Sequence, residues 1–351
     1  MTLHDLDTPV LTIDLDQVKR NIQKMQDYLG AHGIANRPHI KTHKIPRLAQ
    51  MQVAAGAVGI TCQKIGEAEV MAQAGLADIF LPYNLLGADK LRRLMLVATQ
   101  TKLSVTADSE TTIRGYADAA KSEGVTLPVL IEMDTGGKRC GVQSPDEART
   151  LARLIDSLPG LVFGGLMTYP TSERTVEMFD ATMALLKQDG LDSPVRSGGG
   201  SPRCLEAAAW LPTVNEHRAG TNIYNDVNLV GAGAATWDEC AQRVLCTVVS
   251  RPHPDRMILD GGSKTFTNDN TATHGGCGHI VEYPDAKFYS QSEEHGHVDL
   301  NACAERPKVG DRVTVIANHA CACTNLHDQV VAHRGGKVVG VWDVAGRGRI
   351  R

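Results

Sequence analysis

Three short segments hold the residue types that chemistry requires. Lys41 lies in RPHIKTHK (37–44), where Arg37, His39 and His43 add polar groups to a run otherwise suited to burial. Its amine can form a Schiff base with a carbonyl carbon; the plainer role for such a lysine is a solvated charge. The glycine run SGGGS (197–201) and the turn Arg218-Ala219-Gly220-Thr221 can present backbone N–H groups to an anion, as turns that lead into a helix do. Glycines alone also make flexible turns. His319-Ala320-Cys321 sets an imidazole and a thiol two residues apart, and in an extended strand both face the same side and can share one cation. Cys323, His327 and Asp328 stand nearby as spare candidates, with packing and hydrogen bonding as their simpler roles.

These residues need elements to hold them. From about residue 37 to 220, short apolar, β-branched runs alternate with longer amphipathic stretches, the pattern of repeated βα units around a parallel sheet. Eight runs stand out, at 38–41, 58–62, 78–82, 102–106, 127–133, 162–168, 194–197 and 214–218. Helical patterns between them include 65–74 and 144–158, the second opening on Ser144-Pro145, a cap followed by a first-turn proline. Eight units in series predict a (β/α)8 barrel of the TIM type, with an open doubly wound sheet as the alternative. Beyond about residue 237 helical periodicity gives way to short β-like runs, which predicts a smaller, mainly-β domain. The β-like segment 8–13 precedes the first long helix (15–29) and is expected to join that domain. The domains so drawn are a barrel over 14–236 and a β domain over 1–13 and 237–351. In a barrel the chemistry sits at the C-terminal ends of the strands. Lys41 ends the first predicted strand, and the small-residue turns follow the seventh and eighth. A Schiff-base lysine together with a phosphate cradle predicts pyridoxal 5′-phosphate.

Composition narrows the class. With 42% hydrophobic and 22% charged residues the chain is of ordinary globular type, and no stretch approaches the length a membrane helix needs. A net charge of −4 without a long Lys/Arg block argues against a nucleic-acid surface. The acidic start MTLHDLDTPVLTIDLD is not a secretory signal, and nine scattered cysteines make no disulfide framework, so the expected compartment is the cytoplasm.

RPHIKTHK, TCQKIGEAE (61–69), GGKRCGV (136–142), SGGGS, EHRAGTNIYND (216–226) and NHACACTNLHD (318–328) together resemble the fold-type III pyridoxal-phosphate enzymes of the D-threonine aldolase and D-serine dehydratase group. The resemblance spans essentially the whole chain, in the family's motif order. It implies an alanine-racemase-like barrel with a β domain, assembled as a homodimer with active sites at the subunit contact. It assigns Lys41 as the Schiff-base lysine and Gln63, Arg139 and Tyr169 to the surroundings of the cofactor ring. On the phosphate side it assigns Ser197, Gly199, Gly220, Thr221 and Tyr224. His319 and Cys321 become donors to a divalent metal beside the substrate hydroxyl. Zinc is expected for a thiolate site, and manganese in relatives with a carboxylate there. His295, in SEEHGHV, is expected to reach the site from a histidine-rich region that also holds His274, His279 and His297.

One departure bears on the reaction. Aldolases of the group carry Tyr-His-Gly-Ser where this chain has Tyr169-Pro170-Thr171-Ser172-Glu173, so the histidine that serves as base for the substrate hydroxyl is missing. Its proton is left to metal-associated water, Thr171, Glu173 or a β-domain histidine. The expected activity is metal-assisted retro-aldol cleavage of a β-hydroxy-D-amino acid to glycine and an aldehyde. The alternative is dehydration of D-serine or a related hydroxy-D-amino acid to an oxo acid and ammonia. A non-catalytic cofactor carrier fits poorly with the β domain and its metal motif, and a racemase lacks an evident second base.

Overall fold

The computed structural model describes residues 1–269 and 275–351, in two units. One comprises Met25–Lys41, Pro46–Gly220 and Arg349–Arg351; the other comprises Met1–Lys24, Thr42–Ile45 and Thr221–Gly348.

The first unit is the parallel barrel. Its strands in chain order are Ala35–Asn36, Ile60–Thr61, Asp78–Leu81, Lys102–Ala107, Leu127–Glu132, Leu161–Met167, Val195–Gly199 and Glu216–Arg218, and the first pairs with the eighth. Hydrogen bonds from Val58 N to Asn36 O (2.9 Å) and from Thr61 N to Pro38 O (2.8 Å) join the first strand to the second. Strands covered on both faces must be apolar throughout, and Ile60, Ile79, Leu81, Val105, Val129 and Ile131 are fully buried. The outer helices bury one stripe each. Pro145–Ser157 turns Ala148, Ala152 and Ile155 inward at helical spacing, and the Ser144 hydroxyl accepts the Glu147 N–H at 3.2 Å as its cap.

Two boundaries differ from the sequence reading, each for a local reason. The first strand is Ala35–Asn36, not 38–41: Pro38 has no N–H to give, Arg37 and His39 still bond His217 O (3.0 Å) and Ala219 O (2.8 Å), and a 3-10 turn, Ile40–Thr42, then takes over. The seventh strand continues through Gly199, so part of SGGGS is sheet and not turn.

The second unit is built on a nine-stranded sheet. Its long strand Gln242–His253 pairs antiparallel with Val10–Asp14, Arg256–Leu259 and Arg312–Ala317. Val10–Asp14 also pairs parallel with Gln329–Arg334, so the N-terminal segment is part of this sheet. The segment after the barrel belongs here too. Asn21 Nδ2 donates to Ile223 O (3.1 Å), Ala241 N to Tyr224 O (2.7 Å) and Ala320 N to Asp226 (2.9 Å), which draws residues from 221 onward into this unit. All nine cysteines are free thiols, and no helix among the described residues is long and apolar enough to cross a membrane.

Gly165 and Gly190 both have positive φ, +128° and +73°, but only one is hemmed in. A Cβ on Gly165 would lie 1.9 Å from Val195 O across the neighbouring strand, whereas one on Gly190 meets nothing within 4 Å. Gly190→Ala should cost about 1 kcal/mol, the left-handed penalty alone, and Gly165→Ala about 3 kcal/mol or more through backbone displacement. Urea unfolding of the two variants measures this, and equal losses would contradict it.

Candidate active site

In the barrel unit three of the expected residues meet around one ring. Lys41, half-buried in the 3-10 turn, carries its Nζ 5.5 Å from the Tyr169 ring centroid, and the Arg139 guanidinium lies 4.8 Å from the same centroid. Both distances are in cation–π range. Arg139 Nη2 also donates to Glu132 at 3.3 Å. Burial pushes the Glu132 carboxyl up, against the opposing pull of Arg139 and Arg218. Behind Lys41, its N–H donates to His39 Nδ1 (3.3 Å), and His39 Nε2 meets Gln63 Oε1 at 3.0 Å. The competing lysines are engaged elsewhere: Lys44 Nζ donates to Asn325 (2.7 Å), and Lys64 Nζ sits 4.0 Å from the Tyr83 ring centroid.

The seventh and eighth strands carry the residues expected on the phosphate side. Ser197 is fully buried, and its hydroxyl donates to Glu216 (2.7 Å) and accepts from Arg218 Nε (2.8 Å), which ties that hydroxyl to the barrel interior. The Gly199 N–H is likewise held by the Thr171 hydroxyl at 2.7 Å, and a Cβ on Gly199 would meet Arg218 O at 2.9 Å. The hydroxyl beside the Gly220 N–H is that of Ser201, at 3.2 Å, a residue the sequence reading did not single out. Thr171 and Glu173, considered as bases, are both occupied. Thr171 binds Gly199, and the exposed Glu173 pairs with Arg203 at 3.0 Å.

In the other unit Thr221, Tyr224 and Cys321 converge. Cys321 is not in a strand: His319 is the N-cap of a short helix, Ala320–Thr324, whose first N–H is accepted by the buried Asp226 carboxylate. Alternation therefore does not explain the pair, yet the two side chains hydrogen-bond each other. The Cys321 sulfur also takes the Thr42 hydroxyl at 3.1 Å and the Thr221 hydroxyl at 3.5 Å. Burial pushes the Cys321 thiol up, but the hydrogen bond and charge of His319 outweigh it and bring it below its usual value. His319 is raised in turn to about 9, chiefly by its hydrogen bond to Cys321. Its Nδ1 lies 2.6 Å from Asp269 Oδ2.

The donor set suits a metal only in part. Imidazole and thiolate are soft-tolerant ligands, but among the described residues no group of three or more His, Cys, Asp or Glu is arranged around one point, so two protein donors would leave the other positions to water and substrate. A phosphate fits more directly. The Tyr224 hydroxyl is fully buried with no hydrogen-bond partner, and burial holds it protonated as a donor.

The remaining candidates make contacts of their own or stand exposed. Cys323 and His327 both bond Thr265 O, at 3.3 and 3.1 Å. His279 stacks on Trp237 at 3.9 Å, His297 contacts Ser292 at 3.4 Å, and His295 is exposed in a hairpin turn and makes no side-chain hydrogen bond among the described residues. His274 lies outside the described residues.

A parallel barrel with a lysine in the turn that follows its first strand, in one chain with a mainly-β unit, defines the alanine-racemase-like class of enzyme. Residues 13–227 match the alanine racemase N-terminal domain, and residues 241–333 match a putative serine dehydratase domain. The chain is 34% identical to the D-threonine aldolase of Arthrobacter sp., over 98% of this chain and 93% of that one. It is 32% identical to the D-threo-3-hydroxyaspartate dehydratase of Delftia sp., over 92% of each. The crystal structure of D-threonine aldolase from Filomicrobium marinum matches with a TM-score of 0.90 at 29% identity, over 100% of this chain and 98% of that one. The chain belongs to the pyridoxal-phosphate-dependent lyases of the D-threonine aldolase and D-serine dehydratase group.

The thiols provide a check on the site's electrostatics. Cys321 is lowered and half-buried, whereas burial pushes Cys323 up to about 12, so in metal-free protein near neutral pH an alkylating agent should label Cys321 well before Cys323. Because His319 lowers the thiol, His319→Ala should move the midpoint of the Cys321 rate–pH curve upward. Peptide mass mapping reads both, and equal labelling of the two thiols would refute the assignment.

Proposed function

We propose that this chain is a metal-assisted aldolase of the D-threonine type, cleaving the Cα–Cβ bond of β-hydroxy-D-amino acids to give glycine and an aldehyde. The observation that carries this reading is the meeting of Lys41 and Arg139 around Tyr169, in a chain 34% identical to a D-threonine aldolase along nearly its whole length. Lys41 would hold the cofactor covalently. Gln63, Arg139 and Tyr169 would surround its ring, and Gly199, Gly220, Thr221 and Tyr224 would bound its phosphate. When bound, pyridoxal phosphate supplies an electron sink for the bond broken at Cα. A guanidinium does not readily give up a proton, so one facing the ring nitrogen would not protonate it.

His319 and Cys321 would hold the divalent ion, with zinc favoured by the thiolate and manganese second. The Thr42 and Thr221 hydroxyls steady the Cys321 sulfur for that task. Thr171 and Glu173 are engaged, which leaves water or another histidine of the β domain to take the β-hydroxyl proton. The enzyme is placed in the cytoplasm as a homodimer acting on a small D-amino acid. A second reading, dehydration to an oxo acid and ammonia, is favoured by the 32% identity to the hydroxyaspartate dehydratase.

Two experiments test the proposal. After borohydride reduction of the holoprotein, peptide mapping should find pyridoxyl on Lys41, and Lys41→Ala should retain none; label on Lys44 or Lys64 would overturn the assignment. Metal-loaded enzyme incubated with D-threonine, D-allothreonine, D-phenylserine or D-serine should release glycine and aldehyde from the threonine-type substrates and leave the L-forms untouched. Ammonia and oxo acid without glycine would establish the dehydratase instead.

A further inference from the structure

We infer that Asp269 is a positioning residue for His319, accepting the Nδ1 proton so that Nε2 is the nitrogen presented to the metal. The inference rests on the reading of His319 and Cys321 as metal donors and names a residue beyond that pair. A neutral imidazole has one protonated nitrogen and one lone-pair nitrogen, and what binds the first decides which nitrogen can ligate. A carboxylate can only accept, so the 2.6 Å contact between His319 Nδ1 and Asp269 Oδ2 puts the proton on Nδ1.

An ion pair whose side chains are 38% and 51% exposed is by itself worth little. Here the carboxylate is held in place. Asn318, the residue directly before His319, spends both amide hydrogens on this segment, donating to Asp269 O at 3.0 Å and to Gly276 O at 2.7 Å. Gln291 Nε2 fastens the same strand of chain, at Thr267 O and at Asn268 Oδ1 (3.2 Å for the second). Ring and carboxylate are therefore clasped from adjacent residues, although 50 positions separate them in sequence. The second acid nearby, Asp226, does a different task, accepting the N–H groups of Ala320 and Leu229 and so fixing backbone and not the ring.

In Asp269→Asn the side chain keeps its shape but can turn an N–H toward Nδ1, which favours the tautomer protonated at Nε2. The pyridoxal-phosphate-loaded protein, stripped of metal by chelation, is titrated with cobalt(II) against a chromophoric competitor while the thiolate-to-cobalt absorption band is recorded. Asp269→Asn and Asp269→Ala should bind cobalt roughly 10- to 100-fold more weakly, with the band from Cys321 retained, and Asp269→Glu should recover part of the loss. The metal-free melting temperature should not move. Parent-like cobalt affinity in Asp269→Asn, with Cys321→Ala still weakened, would overturn the role of Asp269 and leave the metal reading intact. A parent protein that takes up no cobalt would overturn both.

Discussion

A single chain of buried polar contacts holds the barrel in register. Arg37, just past the first strand, donates to Glu216 in the eighth (2.7 Å) and to Asp78 in the third (2.5 Å). The other Glu216 oxygen accepts the Ser197 hydroxyl of the seventh strand, Ser197 accepts Arg218, and Arg218 Nη2 reaches Thr168 O (2.6 Å) at the end of the sixth. Charges taken out of water are tolerated only when paired, and removing one member strands the others. Burial pulls Arg218 down to about 10, so it keeps its proton at neutral pH and the chain stays charged. A slip of one residue in any of these strands would leave a carboxylate or guanidinium buried alone, so the contacts fix strand order and height together.

That fixed height determines where the barrel's functional side chains emerge. Lys41 leaves the first strand one turn beyond Arg37, and Tyr169 leaves the sixth directly after Thr168, the residue whose carbonyl Arg218 holds. Two cations then share one aromatic face region, with Glu132 balancing Arg139. The polar network inside the barrel, Ser197 included, and Lys41 beyond the first strand are thus consecutive parts of the same chain segments.

The β unit works by a different economy. Its candidate donors sit at the first turn of a five-residue helix that has little stability of its own. Long-range carboxylates compensate: Asp226 for the backbone and Asp269 for the ring. The result is an imidazole and a thiol hydrogen-bonded to each other on a short element, with Thr42 and Thr221 contributing hydroxyls from stretches of chain far away in sequence.

What the sequence determined by itself was whatever local patterning encodes. Seven of the eight barrel strands, the helix Pro145–Ser157 with its Ser144 cap, and the β character of 8–13 follow from residue periodicity and capping chemistry, which act over a few positions. The motif residues Lys41, Arg139, Tyr169, His319 and Cys321 were legible as types at spacings. Tertiary structure decided how they are used. Ser197 was claimed by Glu216 and Arg218. His319-Ala320-Cys321 became a helix start instead of a strand because Asp226, 94 residues away, accepted the Ala320 N–H. Hydrogen bonds between distant residues have no periodic signature in a chain, so Asp269 beside His319 and Thr42 beside Cys321 exist as information only once the backbone has folded.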